Sequence, residues 1–143
     1  MERTLVLVKP DAVEKGYTGA ILARLEATGA KLVGAKMLKI PKALAEKHYE
    51  AHKAKPFFGS VVGFITSGPV VAAVFEGTDV VTKVRKAMGA TNPANAEPGT
   101  IRKDFAESIE KNAVHGSDSP ESAKVEVALY FKPEEIVSYQ LRS

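Results

Sequence analysis

The sequence predicts an α+β fold: a ferredoxin-like split β-α-β arrangement with a four-stranded antiparallel sheet and helices packed on one of its faces. Short β-rich apolar runs and runs of helical period alternate in the order strand, helix, strand, strand, helix, strand, with small helical insertions. No internal repeat or linker divides them, so residues 1–143 read as one domain. A chain of that size buries about two thirds of its unfolded surface in a single core.

The elements follow from local chemistry. The run TLVLV, Thr4 to Val8, is a buried strand stopped by Lys9-Pro10-Asp11. Gly19 to Thr28 gathers Ala20, Ile21, Leu22 and Leu25 on one side and meets Gly29, as a helix end should. Lys31 to Ile40 is a second strand in which Gly34 marks a bulge. Pro41 opens a helix through about His52, a good position for proline. Pro56 starts another, with Phe57, Val61, Phe64 and Ile65 at helical spacing, and Ser67-Gly68-Pro69 ends it. Val70 to Phe75 is the third strand, and Asp79 to Met88 a helix with Asp79 as its N-cap. Gly89 to Thr100 is a long irregular segment of the kind that is usually functional or disordered. A short helix from Ile101 to about Ile109, a brief strand at Ala113-Val114 and a Ser119-capped helix from Pro120 to about Phe131 complete the order.

Composition narrows the function. Apolar residues at 45% and charged residues at 26% are ordinary for a globular domain. Cysteine is absent, which excludes disulfides, thiolate metal sites and a cysteine nucleophile, and suits a cytoplasmic location. The longest apolar stretch, Val61 to Phe75, is interrupted by Thr66-Ser67-Gly68-Pro69 and falls short of the roughly 18 residues a membrane helix needs. Leu5 to Val8 is too short for a secretory core. The net charge of +3 suits a phosphate-bearing ligand without separating nucleotide from nucleic acid.

Several candidate sites compete. Gly29 and Gly34 have the spacing of a phosphate loop, but Ala35-Lys36 follows and the segment reads as a strand. His48 and His52 are one helical turn apart; with no third ligand apparent, they read as surface histidines. No G-x-S-x-G nucleophile elbow is present. The stretch KPFFGSVVGF echoes an aromatic RNA-binding strand, yet its spacing is helical, which argues against that use. Lys9, Arg85 and Arg102 read individually as solvated cations, Tyr49 and Phe57 as core aromatics, and Thr91 as a turn residue. His115, in NAVHGSD, stands among small neighbours that a bulky ligand could approach. The helix from Pro120 would bring Glu126 back toward it, and a carboxylate on one imidazole nitrogen orients the other for attack.

TLVLVKPDAV, KPFF, SGPVVAAVFEG, TNPANAEPGTIR and NAVHGSDS, in this order and spread over essentially the whole chain, resemble the nucleoside diphosphate kinases. The resemblance implies transfer of a γ-phosphoryl group from a nucleoside triphosphate to a nucleoside diphosphate, by a ping-pong route through phosphorylated His115. It implies contacts from Lys9, Arg102 and Asn112 to phosphates and sugar, and from Arg85 and Thr91 to the phosphate tail. Phe57 is similar to the residue that stacks on the base, with Val61 beside it where the family usually carries leucine. Tyr49, Ser117 and Glu126 match supporting positions around the lysine and histidine. Mg2+ is implied on the nucleotide phosphates, with Asp118 reaching it through water and no direct protein ligand. Base tolerance, a homo-oligomer (hexamer favoured over tetramer, through the Thr91–Gly99 segment) and no requirement for nucleic acid or membrane are also implied. An unperturbed imidazole pKa of ~6.5 would leave roughly three quarters of His115 neutral at pH 7.

Overall fold

Leu5, Val6, Leu7 and Val8 are completely buried, so consecutive residues on opposite sides of one strand all need apolar cover. The computed structural model, which describes residues 1–142, supplies that cover from two sides. Strands β1 (Glu2–Val8), β2 (Lys31–Lys39), β3 (Pro69–Gly77) and β4 (Val114–Gly116) form one antiparallel sheet in the order β2-β3-β1-β4. On one face Val6 and Val8 pack with Ala12 of α1 (Pro10–Glu14), Ile21 and Leu25 of α2 (Thr18–Glu26), Val80, Val84 and Met88 of α5 (Val80–Met88), and Ile101 of α6 (Ile101–Phe105). On the other, Leu5 and Leu7 pack with Ala45 of α3 (Lys42–His48), Val62 and Ile65 of α4 (Phe58–Ile65), and Tyr130 of α7 (Pro120–Tyr130). The four-stranded antiparallel α+β architecture is as expected. Helices on a single face are not: β1 is covered from both sides, and edge strand β2 leaves residues such as Met37 exposed.

Local chemistry explains where element boundaries depart from expectation. Pro10 begins a short helix instead of merely ending β1, because its missing N–H and fixed φ suit a first turn. The helix after Pro41 stops at His48, and a separate 3-10 turn, Glu50–His52, follows it. Phe57 flanks α4 instead of lying within it. The helix that begins at Ile101 ends at Phe105, short of Ile109. Ala113 has φ 73° and cannot join a strand, so β4 begins at Val114. Asp79 adopts φ 54° and makes no side-chain cap; Val81 N–H instead donates to Glu2 Oε2 at 2.9 Å, so a residue of β1 satisfies that helix start.

Other expectations stand. Ser119 Oγ accepts from Ser122 N at 3.1 Å and caps α7. The pairing of β2 with β3 shifts register between Leu32 and Gly34. Gly34 also lies against Phe131, whose Cε2 would be 3.2 Å from an added Cβ, so that glycine serves packing within a strand. Among the described residues no helix is long and apolar enough to cross a membrane.

Candidate active site

His115 is the middle residue of β4, at an edge of the sheet, and is paired with Leu7. Paired residues point to the same face, so its imidazole lies beneath α3, α4 and α7. There it borders a cleft of about 950 Å³ whose wall includes Lys9, Tyr49, Phe57, Val61, Arg85, Thr91, Arg102, Asn112, Asp118 and Glu126. Segments distant in sequence meet here: the end of β1, the α3–α4 connection, α5, the irregular segment and α7. Ser117 does not border the cleft. It is fully buried behind it, where its Oγ accepts from Leu5 N at 3.2 Å and donates to Glu126 Oε1 at 3.0 Å.

The histidine is held from behind. His115 Nε2 lies 2.7 Å from Glu126 Oε1. A carboxylate only accepts, so in the neutral ring Nε2 carries the hydrogen and Nδ1 keeps the lone pair. Burial, the neighbouring His48 and the Lys9 charge outweigh the Glu126 hydrogen bond and lower the His115 pKa to about 4. Its side chain is 18% exposed, so solvent still reaches it. This overturns the expectation of an unperturbed imidazole. Although burial raises the pKa of Glu126, the hydrogen bond from His115, with His48 Nε2 3.6 Å away, prevails and holds it below the ordinary carboxylate range.

The cations are positioned by backbone and amide oxygens. Lys9 Nζ donates to Asn112 Oδ1 at 2.8 Å, and Asn112 Nδ2 reaches Thr91 O at 3.5 Å. Burial and Arg102 lower the Lys9 pKa to about 8, against an opposing contribution from Asp11. Arg102 donates to Gly89 O at 3.0 Å and Val114 O at 2.9 Å, while Arg85 donates to Gly116 O at 3.1 Å. Burial and Arg85 lower the Arg102 pKa to about 10, which leaves it charged at neutral pH. Both arginines thus grip the ends of β4 and border the cleft. Phe57 is 48% exposed, with Lys55 Nζ 5.6 Å from its ring centroid; it is a surface aromatic at the cleft wall, not a core residue. Asp118 Oδ1 accepts from Ser122 Oγ at 2.7 Å.

His48 corrects the sequence reading most sharply. Its side chain is 1% exposed, not on the surface, and its Nε2 lies 3.2 Å from His115 Nε2. Its Nδ1 is 2.8 Å from Tyr130 Oη, and its ring stacks on Tyr49 at 4.4 Å. Burial and Glu126 raise the Tyr49 pKa, keeping that phenol protonated. His52 is not a plain surface residue either: its Nδ1 is buried without a partner among the described residues. Asp11 and Tyr130 also hold parts of the site, through Ala113 N and His48 Nδ1. For Tyr130 a signal existed, because Ser122, Glu126 and Tyr130 recur at four-residue spacing on one face of α7.

A cleft with a tethered imidazole, a carboxylate behind it and three cations around it is suited to transfer of an anionic group to nitrogen. Known proteins resemble this chain over nearly its whole length. Residues 2–136 match the family model described as nucleoside diphosphate kinase. A nucleoside diphosphate kinase of Dehalococcoides mccartyi is 56% identical over 142 residues, 99% of this chain and 100% of the relative. One from Nostoc punctiforme is 56% identical over 140 residues, 98% of this chain and 94% of the relative. Among solved structures, the Aquifex aeolicus nucleoside diphosphate kinase superposes with a TM-score of 0.93 at 45% identity, covering 95% of this chain and 99% of its own. That of Halobacterium salinarum, in complex with CDP, gives 0.95 at 47%, covering 98% of this chain and 93% of its own.

Proposed function

The chain belongs to the nucleoside diphosphate kinase family, and from that premise we propose that its phosphoryl transfer runs in two half-reactions through a phosphohistidine on His115. Its activity is that of a phosphotransferase acting on nucleoside triphosphates and diphosphates. The observation that carries the His115 reading is the 2.7 Å contact between its Nε2 and Glu126 Oε1 in a cleft bordered by three cations. In the first half-reaction the Nδ1 lone pair attacks the γ-phosphorus. The bond to the β–γ bridging oxygen breaks, and the nucleoside diphosphate leaves with that electron pair. In the second, a β-phosphate oxygen of the acceptor diphosphate attacks the phosphohistidine and the pair returns to Nδ1. Glu126 accepts from Nε2–H throughout, so positive charge gained by the ring during attack is compensated.

Lys9, Arg85 and Arg102 balance charge on the non-bridging and leaving oxygens, and Asn112, which holds Lys9, contacts phosphate and sugar. Thr91 lies at the phosphate tail. Phe57 stacks on the base with Val61 beside it; an exposed aromatic face suits every base and supports broad base tolerance. The CDP bound by the Halobacterium relative is consistent with a nucleoside diphosphate in the same cleft. Tyr49 and Ser117 support the lysine and the histidine.

The fit to Mg2+ rests on donor chemistry. Among the described residues, the one cluster of three or more His/Cys/Asp/Glu donors within reach of a single ion is His48, His115 and Glu126, whose two nitrogens suit Mg2+ poorly. The nucleotide phosphates and, through water, Asp118 are therefore the partners we assign to it. When bound there, Mg2+ supplies charge neutralisation on the phosphates.

We further propose a cytoplasmic homo-oligomer, a hexamer in preference to a tetramer. The exposed Met37 on edge strand β2 and the Thr91–Gly99 segment support association, and light scattering distinguishes the two sizes.

The test of the phosphohistidine uses ATP labelled at the γ-phosphate. The protein takes up acid-labile label with release of ADP, and adding GDP discharges it as GTP. Label retained by His115→Ala overturns the assignment.

A further inference from the structure

We propose that His48, His115 and Glu126 form a binding site for a divalent transition ion of the zinc class, and that its occupancy blocks phosphotransfer. The blocking step rests on the His115 reading above; the binding itself does not.

The three donor atoms lie close enough together to share one ion. His48 Nε2 and His115 Nε2 are 3.2 Å apart, His115 Nε2 and Glu126 Oε1 2.7 Å, and His48 Nε2 and Glu126 Oε1 3.6 Å. A tetrahedral ion with bonds of about 2.0–2.1 Å spaces its donors about 3.3 Å apart, so the three edges bracket the required value. Two imidazole nitrogens with one carboxylate oxygen is the donor set of open zinc sites, whose fourth position takes water or substrate. All three residues border the cleft. Outer partners are already present. Tyr130 Oη lies 2.8 Å from His48 Nδ1, and Ser117 Oγ donates to the same Glu126 oxygen, contacts that orient ligands in established zinc sites.

Neutral imidazole carries one N–H. Without an ion that hydrogen is on Nε2, directed to Glu126, and Nδ1 holds the attacking lone pair. An ion on Nε2 requires the hydrogen to move to Nδ1, which removes the lone pair without oxidation, cleavage or net protonation of the ring. Glu126 is drawn to the ion at the same time. The nucleophile is therefore switched off by tautomer exchange, and a chelator restores it.

The test uses the full-length protein and Zn2+ alone, with no nucleotide. Equilibrium dialysis is expected to give one ion per chain, with affinity at least tenfold weaker in both His48→Ala and His48→Gln but retained in His52→Ala. Co2+ bound to the unsubstituted protein is expected to show the intense visible bands of four-coordinate cobalt, a readout independent of any variant's folding. In the presence of excess Mg2+ and ATP, Zn2+ is expected to suppress label uptake and EDTA to restore it. No zinc binding, undiminished binding by both His48 variants, or six-coordinate cobalt bands would each overturn the site. Zinc held by these residues with undiminished label uptake overturns the block. Failure of the phosphohistidine reading is seen separately, as absence of label without any zinc.

Discussion

Glu126 Oε1 sits 2.7 Å from His115 Nε2 and also accepts from Ser117 Oγ at 3.0 Å. The carboxylate fixes the ring's tautomer, and the hydroxyl fixes the carboxylate. Glu126→Ala is expected to slow phosphoenzyme formation on the order of 10²- to 10⁴-fold, as when an orienting or proton-handling partner is lost. Glu126→Gln retains an accepting oxygen and loses the charge, so its loss should be smaller. Rapid-quench labelling measures both; equal rates for Glu126→Ala and the unsubstituted protein would remove the carboxylate from the mechanism.

The acid limb of the reaction is set by the lowered pKa of His115, about 4. A lowered pKa favours the neutral ring, so acidification from pH 7 to 5 should leave the single-turnover rate of phosphoenzyme formation nearly flat. An imidazole at ~6.5 would instead lose most of its neutral form over that interval. A midpoint near 6.5 in the pH–rate profile contradicts the buried, His48-flanked environment.

Lys9 governs the alkaline limb. Burial and Arg102 bring its pKa to about 8, so its charge is lost from the free enzyme as pH rises through that value. We expect kcat/KM for nucleotide to fall between pH 7.5 and 9.5, while kcat at saturation holds further, because bound phosphate favours the charged ammonium. Lys9→Arg, whose charge persists, should flatten that limb even if its longer side chain lowers the plateau.

Phe57 gives a prediction with little structural cost, since it is 48% exposed. Phe57→Ala should reduce kcat/KM for ADP, GDP, CDP and UDP alike by about 1–3 kcal/mol of lost stacking. Thermal unfolding should move little. A loss confined to purines would mean that base edges, not the stacking face, are being read.

The sheet and the cap of α7 were legible because their signals are local: β-rich runs, Gly34 in a strand, Ser119 ahead of Pro120. The two-sided cover is encoded in the absence of alternation from Thr4 to Val8, although the element order alone points to a single covered face. Pro10 both ends β1 and starts α1, because proline stops a strand and favours a first helical turn. At the site, the segments around His115 announce themselves by motif. His48 does not, because charged neighbours such as Glu46 and Lys47 make its helix look solvated. Much of its cover comes from Tyr130, His115 and Glu126, residues far away in the chain. Likewise, Asp79 looked like a cap because of its residue type, whereas the actual cap, Glu2, arrives from β1.

Asp11 carries the last prediction. Its Oδ2 accepts from Ala113 N at 3.1 Å, Ala113 O accepts from Lys9 N at 2.8 Å, and Val114 N donates to Asn112 O at 2.9 Å. With φ 73° at Ala113, Asn112 to Val114 form a positive-φ γ-turn, a rare and strained conformation that persists only when its surroundings impose it. Asp11 is the side chain that imposes it, and the turn delivers Asn112 on one side and His115 on the other. Asp11→Ala leaves a buried N–H without a partner and should cost about 1–3 kcal/mol in urea unfolding. It also removes the charge that raises the Lys9 pKa, so the alkaline limb of kcat/KM should move to lower pH. Asp11→Asn retains an accepting oxygen without the charge and should recover stability but not the limb. Ala113→Gly, which relieves the strained Cβ while loosening the unfolded chain, should be neutral within about 1 kcal/mol. If Asp11→Ala unfolds with an unchanged midpoint and its pH profile does not move, the turn is held by the Lys9 backbone alone.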